Sequence, residues 1–225
     1  YAANSDLKGL TTTALVGGAD EKPASFYKAL GSQIYKARKR AVTPSDYKAL
    51  TSDYPGVAAV QVQAQKDIAP GDLRWMNVVR LCILPTNGDR FSDLEWTDFL
   101  AWIQDRKHAA VHIQKYDPER RDVAIKMLIA LRPNAIPGEV YPQVEAAVRA
   151  LFTKEINTLG KRIAISDIVT AAYEDDVDYV QISTPTADFY ADPELDPQAP
   201  YVWWNLTSLE IDMTYSERRN RTVDR

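Results

Sequence analysis

The chain has 225 residues, of which 26% are charged, and its formal net charge is −4. The single cysteine excludes an internal disulfide framework, and no apolar run approaches the ~20 residues that a membrane-spanning helix requires. The acidic balance argues against nucleic acid as the principal partner, because phosphate binding needs a surplus of lysine and arginine. We therefore expect a globular protein with neither a membrane nor a nucleic-acid partner.

The first two predicted segments are an arm and a helix. Residues 1–21 are small and polar, so they carry too little apolar surface to fold alone. We expect this extended arm to become ordered only against a neighbour. A helix is predicted from Pro23 to Arg38, because Phe26, Leu30 and Ile34 recur at a spacing of four residues.

A second helix is predicted to begin at Thr43. The Thr43 side chain can accept a hydrogen bond from a free backbone N–H, and Pro44 suits the first helical position, where no N–H is needed. Asp46 places a carboxylate in the first turn, where the helix dipole favours it. Pro55 and Gly56 then predict a turn that leads into a strand over residues 57–65.

The centre of the chain alternates between strand and helix patterns. Strands are predicted at 78–84, 111–116, 123–131, 163–165 and 177–182, with helices from Ser92, from about 140 to 156 and from Ser166. This order predicts an α+β fold with a ferredoxin-like split βαβ sheet, flanking helices and the extended N-terminal arm. A tight turn at Asp117–Pro118 predicts that the strands on either side of it pair in antiparallel fashion.

Aromatic residues follow a proline-rich loop over 185–200. Tyr201, Trp203 and Trp204 are a candidate interface, because aromatic anchors are enriched at interface hot spots. The alternative is that these side chains fold onto the protein's own sheet. A last strand is predicted from Leu209 to Tyr215 by strict alternation.

The patterns divide the chain into five predicted segments. These are an extended arm (1–21), a helical segment with one strand (22–75), a central α/β sandwich (76–184), a proline-rich loop with the terminal strand (185–215) and a flexible tail (216–225).

Residues with catalytic or metal-binding chemistry form no convincing constellation. His108 and His112 have the spacing of a helical zinc pair, but Ala109 stands where that motif needs its glutamate. The acidic run from Glu174 to Asp178 lacks the turn glycine of a calcium loop. We therefore predict no catalytic residue, no metal ligand, no cofactor and no enzymatic activity. A hydrolase site built from Asp117, Glu119 and His112 is a remote alternative.

One string of residues has a specific order and spacing. Its members are Arg40, Ala41, Val42, Thr43, Asp46, Tyr47, Pro55 and Gly56. With Gly17–Glu21 before it and Gly160–Ile168 after it, this string resembles the baseplate J-like family, the wedge proteins of contractile phage tails and related injection machines.

The resemblance implies a structural protein of the virion. It implies a wedge subunit that associates with copies of itself, as a homodimer or a higher homo-oligomer. Other wedge and hub proteins would be its further partners, in a ring around the tail hub. It also implies assembly in the host cytoplasm, and that the chain is the C-terminal part of a larger subunit.

A ferredoxin-like nucleic-acid-binding module is the alternative function. Such a module needs aromatic and basic side chains together on an exposed sheet face. The predicted strands offer Gln61, Gln63 and Lys126, with few exposed aromatic residues.

Overall fold

The computed structural model describes residues 24–37 and 40–216. The helices are α1 (Ala24–Ala37), α2 (Pro44–Asp53), α3 (Gln65–Ile68), α4 (Asp93–Gln104), α5 (Pro137–Ala150) and α6 (Ile165–Ala172). The strands are β1 (Val57–Gln63), β2 (Val78–Pro85), β3 (His112–Tyr116), β4 (Glu119–Leu131), β5 (Val177–Thr184) and β6 (Val202–Tyr215). The α+β class is confirmed. The predicted arm, and all of the predicted tail except its first residue, lie outside the described residues.

The strands form two three-stranded sheets, where the sequence predicted a single ferredoxin-like sheet. In the first sheet, β2 lies between the antiparallel strand β1 and the parallel strand β3. In the second sheet, β4 lies between the antiparallel strand β5 and the parallel strand β6. The predicted boundaries after residues 75 and 184 therefore each separate strands that pair with one another.

The predicted hairpin between β3 and β4 is wrong. The turn at Asp117–Pro118 carries the chain from the first sheet into the second, and β3 pairs with β2 instead. That pairing is parallel because helix α4 returns the chain between the two strands. Strand β4 pairs with β6 along its whole length, from Glu119 to Leu131. This long-range partner satisfies far more of the β4 backbone than a five-residue hairpin could.

Each sheet has helices on one face and a core beneath them. In the first sheet the alternate apolar residues of β1 and β2 contact α2 and α4, and the core includes Tyr47, Leu50, Leu81, Phe99 and Ile103. In the second sheet β4 presents every second residue to α5 and α6, and the core includes Ile125, Met127, Ile129, Val144 and Ile168. The period-two alternation of β4 predicted this buried face correctly.

Two of the three predicted helix caps are confirmed. The Thr43 hydroxyl accepts a hydrogen bond from the Asp46 N–H at 3.3 Å, and the Asp46 carboxylate accepts one from the Thr43 N–H at 2.8 Å. Ser92 begins α4 with the same reciprocal arrangement. The third cap, predicted at Ser166 and Asp167, is only partly right: Ser166 lies inside α6, whose cap position is Ala164, but the Asp167 carboxylate accepts a hydrogen bond from the Ala164 N–H at 3.2 Å.

The capping carboxylate of Asp46 has a perturbed acidity. Burial would raise the pKa of this carboxyl, but hydrogen bonds from Thr43 and Val42 lower the pKa below its usual value. The carboxylate therefore stays charged at neutral pH, where it also suits the positive end of the α2 dipole.

Three predicted elements differ most from the observed ones. Helix α5 ends at Ala150 instead of residue 156, and the predicted strand at 163–165 is only an isolated bridge between Ile163 and Phe189. Strand β6 begins at Val202, seven residues before the predicted start. The aromatic run lacks the polar alternation that predicts a strand, because its side chains are buried on both faces of β6.

Removing the Thr43 cap should destabilise the protein measurably. We predict that Thr43→Ala lowers the free energy of unfolding by about 1 kcal/mol, because α2 loses a partner for an orphan N–H. Urea denaturation measures this loss. Ser166→Ala is the matched control and should be neutral, since Ser166 is exposed and does not cap α6. Equal losses in both variants would contradict the assigned caps.

Candidate interaction surfaces

The aromatic residues proposed as an interface are buried inside the chain. The exposed fractions of Tyr201, Trp203 and Trp204 are 2%, 4% and 7%. The structure therefore agrees with the alternative interpretation, in which these aromatic side chains pack onto the protein's own sheets. The other candidate surface, the arm over 1–21, lies outside the described residues.

Strand β6 uses its first residues to join the two sheets. Trp203 and Tyr201 belong to a junction cluster with Ala59, Cys82, Leu84 and Leu159, which lies against the first sheet. Trp204, on the opposite face of β6, belongs to the core of the second sheet and packs its ring 5.6 Å from that of Phe189. Because successive side chains of a strand alternate between faces, one aromatic pair holds both sheets.

Polar contacts reinforce the junction cluster. The Tyr201 ring lies 4.1 Å from the Tyr116 ring, and its hydroxyl contacts Gln63 of β1. The Lys154 ammonium lies 5.1 Å from the Trp203 ring centroid and donates to the Pro85 carbonyl at 2.9 Å. Burial lowers the pKa of the Lys154 ammonium. These contacts tie the segment after α5 to the end of β2.

Gly160 is needed where the chain passes this junction. Its φ is +70°, and a Cβ at this position would meet the Pro200 carbonyl oxygen at 3.1 Å. Its N–H donates to the Val202 carbonyl at 2.8 Å, which covers the edge of β6 at this point. A side chain would both strain the backbone and separate these segments.

The eight residues of the sequence motif lie before α2, in its first turn and in the turn after its end. Ala41 is fully buried, and its N–H donates to the Arg106 carbonyl beyond α4 at 2.8 Å. Tyr47 is also fully buried, whereas Arg40 and Val42 are exposed. Gly56 has a φ of +79° in the turn before β1. The motif therefore fixes α2 between β1 and α4, and four of its eight residues are exposed, namely Arg40, Val42, Thr43 and Pro55.

The outer face of the first sheet carries a site that the sequence reasoning missed. Here the Arg80 guanidinium carbon lies 5.3 Å from the Trp75 ring centroid and 5.0 Å from the Tyr116 ring centroid. Arg80 donates from Nε to the Gln114 side-chain oxygen at 3.3 Å. The sequence signal for this site is Arg80 itself, the one charged residue within the apolar strand pattern of 78–84.

An open cavity of about 440 Å³ lies beside Trp75 and Gln114, two of the residues that contact Arg80. Its lining residues are Arg74, Trp75, Val78, His112, Ile113 and Gln114. Arg74 is 87% exposed and paired with Asp72 at 2.8 Å. On the same segment, Leu73 and Met76 expose 74% and 56% of their surface. This face therefore combines aromatic, apolar and cationic groups.

The residues weighed for chemistry lie apart. His108 sits in a turn and His112 begins β3, while Asp117 follows the end of β3, about 17 Å further along the extended chain. Asp117 pairs with Lys115 at 3.7 Å, and Glu119 pairs with Arg121 at 2.8 Å. The hydrolase constellation is therefore not assembled.

Three further findings concern other sites. Cys82 is completely buried, and burial raises the pKa of its thiol far above the usual range. Within residues 24–37 and 40–216, no group of three or more potential metal ligands is placed to hold an ion. In the same part of the chain, no helix combines the length and the apolarity that crossing a bilayer demands.

Comparison with known proteins reveals a shared fold. No protein-family model and no curated protein matches the chain. Among solved structures, it is similar to a chain of the anti-feeding prophage (AFP) baseplate, from a cryo-EM structure with 6-fold symmetry applied. The TM-score is 0.54 at 12% sequence identity, over 85% of this chain and 42% of that one. The present chain thus spans less than half of the baseplate chain that it matches.

Burial of the junction aromatics predicts their role in folding. We predict that Trp204→Ala lowers the free energy of unfolding by about 3–5 kcal/mol, because it leaves a cavity and removes the indole hydrogen bond to the Lys161 carbonyl. Any loss of association should follow this loss of stability. Leu195→Ala, at a position 83% exposed in the preceding loop, is the control and should be neutral. Weakened association with unchanged stability in Trp204→Ala would contradict this assignment.

Proposed function

We propose that this chain is a structural, non-enzymatic component of a contractile-tail baseplate and acts as part of a wedge subunit. The single observation that carries the proposal is the fold shared with a chain of the anti-feeding prophage baseplate. The motif from Arg40 to Gly56 supports it independently, because that resemblance rests on the order and spacing of residues and not on the fold. Its localisation would be the tail baseplate of a virion.

The distribution of apolar surface supports a role in association. Large apolar side chains are exposed on several sides of the described chain, at Leu73 and Met76, at Ile136, and at Tyr173 and Tyr179. Exposed apolar groups that gather on one segment are typical of contact surfaces. A subunit with neighbours on several sides needs such surfaces, and we propose that they contact copies of this chain and other wedge or hub proteins in a ring around the hub.

The junction between the sheets suits a mechanical part. Because β6 fastens both sheets through Trp203 and Trp204, force applied to one sheet is transmitted to the other through packed side chains. We propose that the chain moves as one body and that its intermolecular contacts rearrange when the tail contracts. Such a switch requires alternative packings of similar free energy at those contacts.

Association of the purified protein tests this proposal. We predict a stable multimer, or a tight complex with products of neighbouring tail genes when these are co-expressed. Light scattering and co-purification measure both. Thr43→Ala serves as a control for lost stability, because it removes the α2 cap without removing an exposed apolar side chain. A monomer that binds none of the tail proteins would contradict the proposal.

A further inference from the structure

The Arg80 guanidinium has only neutral partners among the described residues. Its two hydrogen bonds go to the Gln114 amide oxygen at 3.3 Å and to the Tyr201 hydroxyl at 3.5 Å, both near the long limit of such bonds. None of the ion pairs within the described part of the chain includes Arg80, although the side chain is half-buried. A partly desolvated cation of this kind gains most from a carboxylate acceptor.

The surroundings hold the guanidinium in a fixed position. The rings of Trp75 and Tyr116 both lie at cation–π distances from it. Trp75 and Gln114, which both contact Arg80, also line the 440 Å³ cavity, so an acceptor bound there lies next to the immediate neighbours of the guanidinium. The exposed side chains of Leu73 and Met76 stand on the segment that forms the cavity rim. Aromatic residues, methionine and arginine are enriched at protein–protein interfaces, and Trp, Tyr and Arg are enriched among their hot spots.

The charge count favours one carboxylate over a polyanion. Arg74 is already paired with Asp72, so it adds little free positive charge to this face. A nucleic-acid strand presents a phosphate at every nucleotide and requires several cations. One unpaired guanidinium matches one acidic side chain.

We propose that the outer face of the first sheet binds a segment of another baseplate protein, which inserts an aspartate or glutamate next to an apolar side chain. The carboxylate pairs with Arg80, and the apolar side chain packs against Leu73, Trp75 and Met76. The partner identity rests on the proposed baseplate function, whereas the preference for a carboxylate at Arg80 does not.

Peptide binding to the whole chain tests the proposal. The probes are two blocked tripeptides with a central glutamate or a central glutamine between leucines. The readouts are the ¹⁵N NMR signals of the Trp75 indole N–H and the Gln114 side-chain amide. We predict that both signals shift and that the glutamate peptide binds about tenfold more tightly, since a charge-assisted pair replaces a neutral one. Equal affinity for the two peptides, or no shift with either, would overturn the proposal.

Two variants assign the preference to Arg80. In Arg80→Gln the two peptides should bind equally, whereas Arg149→Gln, the same charge change at an exposed position of α5, should retain the preference. A preference that survives in folded Arg80→Gln would overturn the assignment. If that variant does not fold, the peptide comparison in the unaltered chain still decides the proposal.

Other occupants give distinct results. Shifts of the same two signals with protein concentration alone would assign the face to a second copy of the chain and overturn the proposal. Stronger shifts with a single-stranded oligonucleotide would likewise assign it to nucleic acid. A failure of the baseplate role would appear in the co-purification experiment and would leave the peptide result unchanged.

Discussion

The alternation of two tryptophans along β6 is the constraint on which the rest of the structure depends. Trp203 faces the junction cluster on the first sheet, and Trp204 faces the core of the second. Neither sheet has more than three strands, and small sheets need further packing to be stable. Strand β6 supplies it by pairing with β4 while its first residues contact the other sheet. Each sheet is therefore stabilised by its contact with the other.

The local elements were largely readable from the sequence, because their signals are local. The caps at Thr43 and Ser92 and the alternation along β4 each depend on residues within a few positions of one another. The sheet arrangement depends on pairing between β4 and β6, which lie about 80 residues apart, and no local pattern specifies it. A short turn at Asp117–Pro118 suggested the hairpin that this long-range pairing overrides.

The candidate surfaces show the same contrast between local sequence signals and long-range packing. The sequence singled out Tyr201, Trp203 and Trp204 as important, but aromatic residues signal a partner and a core equally well. Only the position of β6 decides between them, and it buries all three. Arg80 escaped notice because its neighbours Trp75 and Tyr116 come from different segments. The residues around Arg80 come together only when β2 and β3 pair in the folded protein.

Because the aromatic residues Tyr201, Trp203 and Trp204 are buried, contacts with neighbouring subunits must use other faces. The outer face of the first sheet is our main candidate, because Arg80 lies there beside exposed apolar side chains. A cryo-EM map of the native contractile particle tests the baseplate account most directly. The account predicts that this chain lies in the baseplate, with Trp203 and Trp204 inside the subunit and a neighbouring protein over the face that carries Arg80. A baseplate without this chain, or a subunit contact made by the two tryptophans, would contradict it.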